Sequence, residues 1–450
     1  MIAAQDATSA SGPPAPALIG FWTCTALVIG NMIGMGIFMM PAVLAPFGFN
    51  ALIGWGVTVA GSLALAAVYA SLARDFPNPD GPYGYIRATQ GEIAAFVAAW
   101  CYWLSCWITN ATLAVAVTAY LQAVAPELFT GIPPALAALA FIWIFVGINL
   151  LGVPASGPVQ IITTTLKLVP MIAIILLGVW LLFSEPGAYT RSSPTTPIAL
   201  PQIMAASTIA LFAMLGMESA SIPAGRVKDA KRTIPIATLV GTLATALIYV
   251  AISVIPMLLI PQAELAASQA PFVDLLNRML GDNVGRWIAL FVVISGLGCL
   301  NGWTLLCSEL TRTMARNAVL PSVLGRDNAR GAASAALIVI GVLASGMVLM
   351  NYSRSLVQGF AFLSTVVTAA NLPLYLLSSL ALGLFVFRGV KASPKLLVIG
   401  VLGLAYSIFA FVGVGREPFL WALGLGAVGL PIYAAMRFTR ARARAAATAP

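Results

Sequence analysis

Sixty per cent of the 450 residues are apolar and only 8% are charged, whereas a soluble chain carries about a quarter charged residues. A water-exposed globular fold is excluded, and the length suits about a dozen membrane spans of roughly 20 residues each with short loops. The net charge of +9 would suggest nucleic acid in a soluble domain, but the basic residues sit in the loops between apolar runs. The absence of histidine removes the commonest general base and metal ligand.

Residues 1–18, MIAAQDATSASGPPAPAL, hold no Lys or Arg and no apolar run before the proline cluster. They predict a short disordered tail rather than a cleaved signal peptide. The first span, 19–45, contains GNMIGMGIF, in which Gly30, Gly34 and Gly36 flank Asn31. Such a run is either a small-residue packing face or an unwound stretch of helix. A second span follows at 51–73. The third, 92–124, carries YWLSCWITN, which sets Tyr102, Cys106 and Asn110 on one helical face at four-residue spacing. Asn110 is too polar to face lipid, so it is expected to face a partner or a cavity.

A fourth span at 133–151 precedes a fifth at 158–183, where Lys167 either snorkels to the interface or stands between helices in place of a coupling cation. The sixth, 201–225, is interrupted by AMLGMESA, with Gly216 beside the acid Glu218 and Pro223 close behind. An ionised side chain at mid-membrane costs about 3 kcal/mol or more unless paired or hydrated, which makes Glu218 a functional candidate, with capping of free N–H groups as the structural alternative. The breaks fall in spans one and six, corresponding places in two five-helix halves, as an inverted repeat requires. Unwinding there exposes N–H groups that attract a carboxylate and carbonyls that attract an ammonium.

A seventh span covers 235–260. The eighth, 284–316, surrounds Trp303 with small residues in GLGCLNGWTLL, so the ring either stacks on a cation or packs in a core. Glu309 near its end predicts a helix-surface pair with Arg312. The remaining spans are 334–351, 355–387, 396–413 and 418–437, followed by a basic tail at 438–450. Of the 23 basic residues only Arg191, Arg278, Arg286, Arg354 and Arg416 fall on one side of this alternation. The positive-inside rule therefore places both termini in the cytoplasm. All five cysteines lie in apolar runs, which argues against a disulfide framework.

GNMIGMGIFMMP, YWLSCWITN, GMESAS, KDAKRTIPIA and GWTLL stand in an order that resembles the amino acid, polyamine and organocation (APC) transporter family. The likeness is strongest to its bacterial arginine/agmatine antiporters, and runs from about Leu18 to the last span. The resemblance implies an all-α polytopic membrane protein of about 12 transmembrane helices. Its core would be a 5+5 inverted repeat with helices 1 and 6 broken (halves at 19–183 and 201–387) plus two peripheral helices at 396–437. It implies a homodimer in a bacterial inner membrane that exchanges amino acids and amines, without cofactor, metal, nucleic-acid partner or enzymatic activity.

By position, the resemblance gives Asn31, Gly34 and Gly36 the substrate's α-amino and carboxyl groups, Trp303 and Asn110 its distal cation, and Ser105, Cys106 and Leu215 the pocket wall. Phe212 becomes an aromatic lid, and Tyr83, Tyr102 and Glu218 gating residues. Met35 stands where a serine helps bind the carboxylate, and Leu374 where a tyrosine lines the pocket. Lys167 resembles a lysine of broader exchangers, which leaves proton-coupled or facilitated uptake as the alternative.

Overall fold

The computed structural model describes residues 20–76, 81–151, 157–184, 187, 196–217, 229–281 and 284–447. The expected tail at 1–18 and Glu218 lie outside them. The described chain folds into α1 (Phe21–Met32), α2 (Gly36–Leu44), α3 (Phe49–Asp75), α4 (Gly81–Gln90), α5 (Glu92–Val124), α6 (Pro134–Leu150), α7 (Gly157–Ser184) and α8 (Leu200–Met214). It continues with α9 (Ala230–Leu259), α10 (Gln262–Ala267), α11 (Pro271–Leu280), α12 (Val284–Arg316), α13 (Ser334–Met350), α14 (Leu356–Phe387), α15 (Pro394–Gly413) and α16 (Arg416–Ala447).

Among the described residues, seven helices are long and apolar enough to cross a membrane and five shorter ones are apolar. The twelve correspond one to one with the twelve apolar runs of the sequence. The first run is split between α1 and α2, and α5 and α12 keep their expected bounds. The protein is thus an all-α polytopic membrane protein. The elements that hydropathy did not reveal, α4, α10 and α11, are short helices in the connections. Helix α16 also continues past the apolar run to Ala447, because its RARARAAA segment consists of strong helix formers.

Helix α5 is the axis of the bundle: 94% of its most apolar stretch is buried, against 6% for α16 at the rim. It packs against α14 and α12, while α3 packs against α9, α8 and α15. With hydrocarbon outside, apolar burial gives little drive for helix association, and close packing with interhelical hydrogen bonds takes over. Trp103 Nε1 donates to Thr311 Oγ1 at 2.7 Å, Thr58 and Ser207 share a 2.9 Å bond, and Thr208 Oγ1 donates to the Ala410 carbonyl at 2.8 Å. Each such bond is worth about 1 kcal/mol.

Candidate functional site

The first span stops being helical because Ile33 turns extended (φ −72°, ψ 100°) and α2 restarts only at Gly36. A helix end leaves carbonyls without intrahelical partners, and a helix start leaves N–H groups the same way. In hydrocarbon these must find donors and acceptors. One is supplied by α9: Tyr249 Oη donates to the Met32 carbonyl at 2.7 Å. The sixth span breaks at the end of α8, where Leu215 is extended (φ −64°, ψ 148°) and Gly216 has φ 102°. That backbone conformation favours glycine, because a Cβ would crowd the chain.

The two breaks face a shared cavity. Gly34 and Gly36 form one edge and Phe212 and Leu215 the other. Tyr102, Ser105 and Thr109 of α5, Tyr249 of α9, Trp303 of α12 and Asn371 of α14 complete the wall. The cavity volume is about 40 Å³, room for about three water molecules at roughly 10–15 Å³ each. A larger ligand enters only as the walls part. Phe212 lies over the first break: a Cβ on residue 36 would come within 2.6 Å of its ring, so glycine alone leaves room for it. Phe360 supports the ring edge-on at 5.8 Å.

No charged side chain lines this cavity among the described residues. Its polar groups are hydroxyls, an indole and an amide, and most of the hydroxyl hydrogens are already committed. Ser105 Oγ donates to the Tyr102 carbonyl at 2.7 Å, and Thr109 Oγ1 to the Ser105 carbonyl at 2.7 Å. The Ser105 and Thr109 oxygens keep lone pairs that can accept. Together with the Trp303 face and the negative end of α8, they suit a cation.

Of the residues nominated by sequence, Gly34, Gly36, Tyr102, Ser105, Phe212, Leu215 and Trp303 meet at the cavity. Met35 turns away: its sulfur lies 2.8 Å from where a Cβ on Gly296 would be, so it packs between α2 and α12. Cys106 is wholly buried behind the wall. Asn110 faces α12 rather than the cavity, its amide oxygen 3.2 Å from Thr304 Oγ1. Asn31 is in α1 and Lys167 in α7, but their side chains lie outside the described residues. Glu309 pairs with Arg312 as its spacing predicts. Tyr249, Thr109 and Asn371 were not singled out by sequence. For Asn371 the signal was present, since an amide inside TAANLPLYLL is as polar an intruder as Asn110.

Tyr102 also packs on a second apolar group that includes Leu374, Ile86 and Tyr83. Tyr83 sits on α4, donates to Glu92 Oε1 at 2.8 Å and carries the Arg87 guanidinium 5.4 Å from its ring centre. Further ties join the helix ends near α4. Arg388 donates to the Thr89 carbonyl at 2.8 Å, Gln90 to the Leu377 carbonyl at 2.8 Å, and Lys391 pairs with Asp75 at 2.5 Å.

The amino acid permease family model matches residues 19–420. The chain belongs to the amino acid permease family. This permease is 30% identical over 335 residues to a cadaverine/lysine antiporter of Escherichia coli strain K12, covering 74% of each chain. It is 30% identical over 389 residues to a putative arginine/ornithine antiporter of Bacillus subtilis strain 168, covering 80% of this chain and 83% of the relative. A putrescine transporter of E. coli K12 matches at 30% over 365 residues, with 81% and 83% covered. The fold is shared with a manganese transporter of Eremococcus coleocola at a TM-score of 0.56 and 13% identity, over 93% of this permease and 94% of that chain. The permease is a multi-pass membrane transporter, not an enzyme.

Proposed function

We propose that this permease is an antiporter that exchanges a cationic amino acid for an amine of the same class by alternating access at the cavity between the two helix breaks. The observation that carries the reading is the shared wall. The N-terminal end of α2 and the C-terminal end of α8 line the same cavity as the Trp303 ring and neutral acceptor oxygens. An amino acid's carboxylate and ammonium fit the former, and a distal cation fits the latter. The named relatives, antiporters or transporters of lysine, ornithine, arginine and diamines, support the same class. Arginine with agmatine is the pair favoured by the likeness of the motifs.

On this reading Phe212 is the lid on one side, and Tyr102, Leu374 and Tyr83 form the seal on the other. Cys106 and Asn110 support the wall behind the distal group, and Met35 and Asn31 the first break. The unit works in a bacterial inner membrane with both termini cytoplasmic, as a homodimer. Glu218 is assigned to coupling, so Glu218→Gln flattens the pH dependence of exchange; a wild-type pH profile in that variant removes the assignment. Lys167 is assigned to holding the first and eighth spans where an ion would otherwise bridge them, which makes exchange independent of sodium. The substrate class is tested by thermal shift with arginine, agmatine, lysine, cadaverine, ornithine and putrescine against norleucine. Stabilisation by the cationic set and not by norleucine is expected; stabilisation by neutral amino acids alone overturns the class.

A further inference from the structure

Asn371 lies in the middle of α14, 1% exposed, and lines the cavity. Its amide nitrogen has no hydrogen-bond partner. A buried amide donor or acceptor left unpaired costs about 1–3 kcal/mol, so such a group calls for an explanation. Ser105 is a neighbouring polar side chain, and its Oγ lies 3.4 Å from the Asn371 amide oxygen. A serine hydroxyl has a single hydrogen, and that of Ser105 is directed to the Tyr102 carbonyl at 2.7 Å. Two oxygens would then face each other with no hydrogen between them. Turning the amide by a half rotation resolves the conflict: the NH2 donates to Ser105 Oγ, and the carbonyl oxygen takes the unpaired position in the cavity wall.

We infer that Asn371 is a specificity-determining residue whose amide oxygen accepts a hydrogen bond from the protonated nitrogen at the distal end of the substrate. This rests on the reading of the cavity as the exchange site. Three features agree with an acceptor at that point. No acidic side chain lines the cavity among the described residues, so a cation there must be met by dipoles and π faces. Trp303, on the same wall, offers such a face but no acceptor. Ser105 anchors the amide from the α5 side, fixing its direction.

The test uses purified full-length protein with L-lysine and norleucine, which differ by the distal ammonium. Hydrogen bonds to charged groups are worth about 1.5–3 kcal/mol, tenfold or more in affinity. Asn371→Leu, an apolar near-isostere, is expected to lower lysine affinity about tenfold and to reduce the preference for lysine over norleucine by a similar factor. Asn371→Asp retains the acceptor and removes the donor, and is expected to bind lysine at least as well as wild type. Equal loss in both variants, or an unchanged lysine affinity in Asn371→Leu, overturns the proposal while leaving the exchange reading intact. Failure of the wild type to bind any cationic amino acid or amine removes the exchange reading first, and this assignment with it.

Discussion

The two helix breaks open onto the same cavity but are held open by different physics. At the first, no backbone angle demands glycine: Gly34 has an ordinary φ, and a Cβ there would meet only Cys299 Sγ at 3.5 Å. The break is maintained from outside, by the Tyr249 hydroxyl on the Met32 carbonyl and by the space Gly36 leaves for Phe212. At the second, the backbone itself requires glycine, since Gly216 has φ 102°. One break is a braced interruption and the other a conformational one. A braced break can be reshaped by moving its brace; a conformational one persists whatever its neighbours do.

Removing the brace has the largest expected effect. Tyr249→Phe leaves the buried Met32 carbonyl without that donor, and about 1–3 kcal/mol of stability should be lost, read as a lower melting temperature in detergent with slowed exchange. Unchanged stability would show that the first break needs no brace. Next, Trp303→Leu keeps bulk but loses the π face, about 2 kcal/mol in a desolvated site, so affinity for the cationic substrate falls roughly thirtyfold. Unchanged affinity would place Trp303 in the packing alone.

The two glycines give a direct contrast. Gly216→Ala forces a Cβ onto a left-handed residue and should destabilise by about 1–2 kcal/mol. Gly34→Ala should change stability by no more than about 0.5 kcal/mol, since its new methyl meets ordinary contact distances. Equal shifts in the two melting temperatures would erase the distinction between the breaks.

Much of this arrangement was legible in the sequence because hydrocarbon leaves the chain few options. Spans announce themselves by length, and the breaks by Gly34, Gly36 and Gly216 amid apolar runs. The connecting helices were not legible. Helix α4, GPYGYIRATQ, starts on glycine and proline, and α11 mixes Asp274, Asn277 and Arg278 with Phe272, Leu275 and Leu276, so neither gives a hydropathy signal. The inward or sideways direction of Met35, Cys106 and Asn110 was equally hidden, because helical spacing fixes a face but not which neighbour it meets. The partners of Tyr249 and Asn371 needed the third dimension: each is one of several polar side chains in a mostly apolar helix, and only packing shows that one reaches the Met32 carbonyl and the other the cavity.

Exchange through the cavity between the breaks is tested most directly by counterflow in proteoliposomes. Vesicles holding wild-type protein are loaded with an unlabelled cationic amine, diluted into labelled lysine or arginine, and compared with empty-loaded vesicles and with Trp303→Leu. The account predicts label uptake that depends on the internal amine and falls steeply in the Trp303 variant. Uptake that is the same with and without internal amine would contradict exchange, and wild-type uptake in the Trp303 variant would move the transport path away from this cavity.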